Sequence, residues 1–258
     1  MPKIKLNNLI NAELESLAKT IYDYWFVQFD FPNAEGKPYK SSGGKIEYVG
    51  DTDRAIPADW KVGTLGNWID FKRGISYKSG EIQDTGIPML NLNSFTLKGK
   101  FKPEGTKYFN GSFKETNKLN HGDLLIAITD VTRNATIIGK AFIVPDLFEN
   151  QPLMSCDVAC VTSKSDFNNY YLEMLFNSEQ YHEYIKYFAS GTLVLHLDLN
   201  GMLWFQTFMP PKNLLDKFAE FRQHIIEKQT LNIKENQQLT QLRDWLLPML
   251  MNGQVSIK

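Results

Sequence analysis

From Leu214 to Leu246 the positions 214, 218, 221, 225, 228, 232, 235, 239, 242 and 246 step by four and three without a break. They hold Leu, Phe, Phe, Ile, Lys, Asn, Glu, Leu, Leu and Leu, a heptad seam with apolar ends and a polar middle. A helix of about 33 residues would be about 50 Å long. Such a helix needs a partner to cover its seam. Pro210–Pro211 precede it, and Pro248 is expected to stop it.

A second copy of this pattern stands at the other end of the chain. At an offset of 225, Lys3 falls on Lys228, Leu6 on Leu231, Asn7 on Asn232, Asn11 on Asn236, Leu14 on Leu239 and Leu17 on Leu242. Ile21 then falls on Leu246. The alternative is chance agreement of two amphipathic helices. Six identities within fifteen residues, two of them Asn pairs, favour an internal repeat. The first copy is shorter, beginning where the last is already 14 residues in. Polar seam residues such as Asn7 and Asn232 are costly opposite hydrocarbon and are read as setting register. Ile10, Leu14, Leu17, Ile21 and Trp25, with Phe218, Phe221, Ile225, Leu239, Leu242 and Leu246, are the candidate helix-pairing residues.

The first helix, from about Lys3 to Val27, runs into TIYDYWFVQFDF, where Tyr22, Tyr24, Trp25, Phe26, Phe29 and Phe31 crowd together. This stretch is too short and too charged to span a bilayer, and no run of about 18 apolar residues occurs elsewhere. Core, base stacking and protein docking stay open as its uses. The polar stretch NAEGKPYKSSGGK follows as a loop.

Between the helices, from about Ile46 to Pro210, short β-like runs recur: WKVGTL, WIDFKRGI, IPMLNL, DLLIAIT, TIIGKAFIV, SCDVACVT and LWFQTFM. One helical patch, from about Asn168 to Ala189, lies among them. The expected fold class is α+β, a mixed globule flanked by two long helices. With 258 residues the chain suits one large domain with extensions. Cys156 and Cys160, the two cysteines, would lie roughly 13 Å apart on one face of a strand. That is too far for a disulfide, and both read as small core hydrophobes of a cytoplasmic protein.

Catalytic patterns are missing. His121, His182, His196 and His224 are scattered, and no phosphate-binding Gly-rich loop, nucleophile elbow or nuclease motif stands in the chain. Charge is uneven instead. The net charge is −1, yet Lys61–Lys140 holds twelve Lys and Arg against seven Asp and Glu. The basic residues are interleaved with aromatics and amides in DFKRGISYKSG, LNLNSFTLKGKFKPEGTKYF and TDVTRNAT. Such residues suit phosphates and base edges. A solvated loop surface is the plainer reading.

Together these features resemble the DNA-specificity subunit of Type I restriction–modification systems. LGNWIDFKRGIS and TGIPMLNLNSF resemble the opening of that family's target recognition domain, and FASGTLVLHLDLNGMLWFQTFMPP resembles its closing segment. TIYDYWFVQFDFPNAEGKPYKSSGGK and LRDWLLPMLMNGQV resemble the ends of its two structural repeats. A complete member has two recognition domains held apart by two antiparallel long helices; this chain has one domain and a truncated first helix.

The resemblance implies residues 1–50 as a conserved helix and aromatic joint, 51–210 as the recognition domain and 211–258 as the second long helix. It implies a non-catalytic reader of double-stranded DNA. The partners would be methyltransferase subunits, which bind S-adenosylmethionine, and a restriction–translocase subunit. A homodimer reading an interrupted palindrome follows from a half-length chain. Expected DNA contacts are Lys72, Arg73, Tyr77 and Lys78, then Asn91, Asn93 and Ser94, then Arg133 and Asn134, and lastly Gly191, Thr192 and His196. No metal ligand is expected, and no membrane partner. The competing readings are a coiled-coil assembly module whose globular domain binds only protein, and an enzyme with a non-standard site.

Overall fold

The computed structural model describes residues 2–49 and 54–253. The boundary expected at 50/51 and the last residues of the closing repeat, from 254, lie outside the described residues. Helix α1 (Pro2–Tyr22) starts on a proline, which is favoured at a first helical position. It runs into one π turn (Asp23–Val27). Phe29, in the left-handed region at φ 65°, then turns the chain away from the helix axis.

A hairpin, β1 (Ile46–Val49) with β2 (Arg54–Pro57), comes first. Next are β3 (Lys61–Thr64), β4 (Ile69–Arg73), β5 (Ile82–Gln83), β6 (Ile87–Leu90) and β7 (Lys107–Phe109). They are followed by β8 (Leu124–Ala127), β9 (Thr129–Asp130), β10 (Ala141–Ile143), β11 (Leu153–Met154) and β12 (Val158–Ser163). Helices α2 (Asn169–Asn177) and α3 (Glu179–Ile185), strands β13 (Ala189–Ser190) and β14 (Leu195–Leu197), helix α4 (Leu199–Trp204) and strand β15 (Gln206–Met209) lead into α5 (Lys212–Met251). Asn168, Ser178 and Asp198 cap α2, α3 and α4 by accepting from the backbone N–H of Tyr171, Tyr181 and Asn200.

The central sheet has the order β10-β8-β12-β4. Its inner strands are buried on both faces, and alternation divides the side chains between two cores. Leu124, Ile126, Ala159 and Val161 face the core shared with α2, α5 and the aromatic joint. Leu125, Ala127, Val158 and Cys160 face a second core with Leu90, Phe95 and Phe142. A mixed sheet β11-β6-β7-β5 lies beside it, and β13-β14-β9 forms a third, small sheet. Strand β15 returns to pair with β3 at the root of α5.

Each β-like run read from the sequence contributes a strand, and the helical patch becomes α2 and α3. Two expectations are corrected. Pro248 does not stop α5, which runs on to Met251; the backbone bond its nitrogen cannot donate is confined to the last turn, with only three helical residues after it. Cys156 is exposed in the turn before β12, so only Cys160 is a core residue. Burial, the main cause, pushes the Cys160 thiol up to about 12.

The aromatic joint is packed rather than presented. Tyr22 and Phe26 are buried, and the Phe26 ring meets Phe218 edge-on at 5.1 Å and Tyr171 at 4.9 Å. Phe29 packs edge-on against Trp60, and Phe31 stacks between Tyr39 and Trp60. The joint thus fuses α1, α5 and the domain into one core.

Helix α1 lies antiparallel to the first two-thirds of α5. Asn7 donates to Asn236 at 2.9 Å and to Glu235 at 2.7 Å, and Asn232 donates to Asn11 at 2.7 Å. Further along, Glu15 meets Arg222. The residues facing α5 drift from the expected seam. Leu17 and Lys3 are exposed on α1, while Ala18 is fully buried. On α5, Lys228 and Leu242 are exposed, while Arg222 and Thr230 are buried. An undistorted helix advances 3.6 residues per turn, so a strict 3.5 repeat rotates off the contact line.

Arg222, 1% exposed, holds a charge network at this crossing. Its Nε and Nη2 donate to both carboxylate oxygens of Glu173 on α2, each at 2.9 Å. Nη2 also reaches Glu15 at 3.0 Å, and Lys100 pairs with both carboxylates. Burial raises the Glu15 pKa, but Lys100 and then Arg222 outweigh it and hold the group at about 2. A carboxylate depressed in the fold stabilises above its unfolded value and loses that contribution as pH falls through the folded one. Docking of α1 should therefore weaken between about pH 4.5 and 2, and Glu15→Gln should flatten that part of an acid-unfolding curve.

Candidate nucleic-acid interface

Several backbone pairings join one end of the central sheet to the small sheet. At the end of β4, Gly74 N–H donates to Val158, Ile75 N–H to Met154, and Cys156 N–H returns to Ile75. Ile128 N–H donates to Asp157, and Leu197 N–H to Ile128. Ser155 N–H donates to Leu90, which brings the loop after β6 to the same edge. The loops carrying the expected contact residues are thereby arranged side by side. Gly74 tolerates no side chain here: a Cβ would stand 2.1 Å from the Ser155 carbonyl.

Lys72, Arg73 and Lys78 are exposed on and after β4, the edge strand of the central sheet. Tyr77 is half-buried, and its hydroxyl accepts from Lys107 Nζ at 2.7 Å. Arg133 and Asn134 are exposed in the loop after β9; Gly191 and Thr192 are exposed in the β13–β14 turn, and His196 is exposed on β14. Gly191 has φ 140°, and a Cβ there would meet the Val194 carbonyl at 2.0 Å, so the turn requires glycine.

Asn91 and Ser94 occupy a different position. Both are buried, and both serve the turn over Leu92–Ser94. The Asn91 amide donates to Gly105 at 2.8 Å and accepts from Asn93 N–H; Ser94 Oγ accepts from Asn91 N–H. Their polar atoms are engaged within the fold, and only Asn93 of the three is exposed.

Asp130 was not anticipated from the sequence. It is fully buried, and its carboxylate accepts from Thr132 N–H and Ile137 N–H at 2.6 Å each and from Ile138 N–H at 3.2 Å. This one side chain folds the loop that carries Arg133 and Asn134, with Ala135 in the left-handed region at φ 51°. The signal in the sequence is an Asx turn, an Asp followed two residues later by the amide it accepts from. Asp130→Asn keeps the size but turns an N–H group on N–H donors. The expected outcome is a loss of about 1–3 kcal/mol in thermal unfolding and weaker binding of any ligand read by that loop.

Among the described residues, no three His, Cys, Asp or Glu side chains gather as a metal site, and no helix is long and apolar enough to cross a membrane.

A globular domain with loops arrayed along one sheet end is thus carried on an antiparallel helix pair. No family model matches the chain. It is 24% identical over 308 residues to the Type I restriction enzyme HindI specificity subunit of Haemophilus influenzae, covering 98% of this chain and 64% of that protein. It is also 24% identical over 251 residues to the MjaIX specificity subunit of Methanocaldococcus jannaschii, covering 96% and 54%. The S subunit of a Type I restriction–modification system from M. genitalium shares the fold, with a TM-score of 0.54, 15% identity and coverage of 95% of this chain and 54% of that one. The chain is thus a relative of Type I restriction enzyme specificity subunits. It spans between half and two-thirds of the length of the curated relatives it matches, the extent of a half-length subunit.

Proposed function

We propose that the chain is the sequence-reading, non-catalytic half of a Type I specificity subunit. The observation that carries this is a match over nearly the whole of this chain to part of two specificity subunits, in a chain whose exposed polar and basic residues lie toward one sheet end. Lys72, Arg73 and Lys78 contact phosphates; Asn93, Arg133, Asn134, Thr192 and His196 reach base edges. Asn91, Ser94 and Gly191 act through the shape of their loops, and Tyr77 through its bond to Lys107. Two copies associate through their long helices and read an interrupted palindrome. Partner methyltransferase subunits, with their S-adenosylmethionine, modify adenine there, and a restriction–translocase subunit cleaves.

The salt dependence of DNA binding tests this reading. Phosphate contacts release counterions, so affinity for duplex DNA should fall steeply between 50 and 200 mM salt, roughly tenfold or more even for a few contacts. Absence of salt-dependent DNA binding would leave the protein-only module.

A further inference from the structure

We propose that α1 is an internal stand-in for the α5 helix of a second copy, so that two chains join by exchanging it. This rests on the homodimer reading above. At the 225 offset Asn7 corresponds to Asn232 and Asn11 to Asn236. Within the chain, Asn7 donates to Asn236 and Asn232 donates to Asn11. With α1 replaced by residues 228–246 of a second copy, the first bond becomes Asn232 of that copy donating to Asn236. The second becomes Asn232 donating to Asn236 of that copy. The two bonds turn into one bond repeated about a two-fold axis, with the same donor and acceptor each time. Such reciprocity defines an isologous interface, and chance similarity between two helices does not require it.

The exposed tail of α5 gives an independent indication. Beyond Thr240 the helix runs past the start of α1, leaving Leu242, Trp245 and Leu247 about half exposed and Met251 84% exposed. Under the same offset, Leu246 and Leu247 take the places of Ile21 and Tyr22, and Leu250 and Met251 those of Trp25 and Phe26. The tail therefore carries apolar residues for the pocket that the aromatic joint fills.

The copies differ at the charge network, where Thr240 matches Glu15 and Arg243 matches Ala18. A second copy cannot replace the carboxylate on Arg222, so a lone chain stays closed. Tethering favours α1 further through its high effective concentration. Exchange is then driven by protein concentration.

The test ties α1 down in the full-length chain. Lys3 and Glu235 form an exposed ion pair at 3.3 Å. Lys3→Cys and Glu235→Cys, with exposed Cys156→Ser, allow a short reducible thiol cross-linker to bridge the two helices at high dilution. In sedimentation the bridged protein should dimerise at least about a hundredfold more weakly than the same protein after reduction. Glu15→Gln, which weakens the closed form, should lower the concentration needed for dimers. Equal dimerisation before and after reduction would overturn the exchange and leave the homodimer intact. Absence of dimers in every sample would overturn both.

Discussion

Reversing Lys72 and Arg73 together to Glu is expected to weaken duplex DNA binding by about a hundredfold and to lower the salt slope by about two. Both side chains are exposed on an edge strand whose other side is paired to β12, so the backbone that positions them does not depend on them. Stability should move by no more than about 0.5 kcal/mol, the usual range for surface substitutions. Binding measured by fluorescence anisotropy at several salt concentrations, beside a thermal melt, separates lost contact from lost fold. Unchanged affinity would remove the β4 edge from the interface.

The second large effect is structural. Arg222→Ala is expected to cost about 3–5 kcal/mol, because it leaves Glu173, 3% exposed, with Lys100 as its remaining cationic partner. That is a large part of the roughly 5–15 kcal/mol that holds an ordinary domain together. The network joins α1, α2, α5 and the loop at Lys100, so α1 should loosen first. Arg222→Met with Glu173→Leu removes both charges and should recover most of the loss in chemical denaturation. If the double variant is no more stable than Arg222→Ala, the uncompensated carboxylate is not the source of the cost.

What the sequence made legible follows from what periodicity can carry. Hydrophobic spacing located α1, α5 and the main strands, and the Asn pairs at the offset of 225 anticipated a polar, register-setting contact that the Asn7–Asn236 bond embodies. A buried ion is invisible to the same method. No periodic signal marks Arg222 or Glu173 as buried, because their burial depends on partners far away in the chain. Strands of two residues, such as β5, β9, β11 and β13, fall below any detectable period. In the site, residue type selected Lys72, Arg73 and Arg133 as polar and exposed, but it selected Asn91 and Ser94 by the same criterion. A turn-forming Asn and a base-reading Asn have the same composition; the carbonyl of Gly105 separates them here. Asp130 enters a charge count only as one of the seven acids of Lys61–Lys140, and such a count carries nothing of its role as the loop's scaffold.

The most direct measurement of the central claim is a methylome. The chain would be expressed with its methyltransferase subunit in cells lacking other adenine modification, and modified adenines mapped by long-read sequencing. An interrupted palindrome, lost in the Lys72→Glu/Arg73→Glu variant, is the expected result. Absence of any modified motif, from a chain that is folded and bound to the methyltransferase, would contradict the account of a single half read twice.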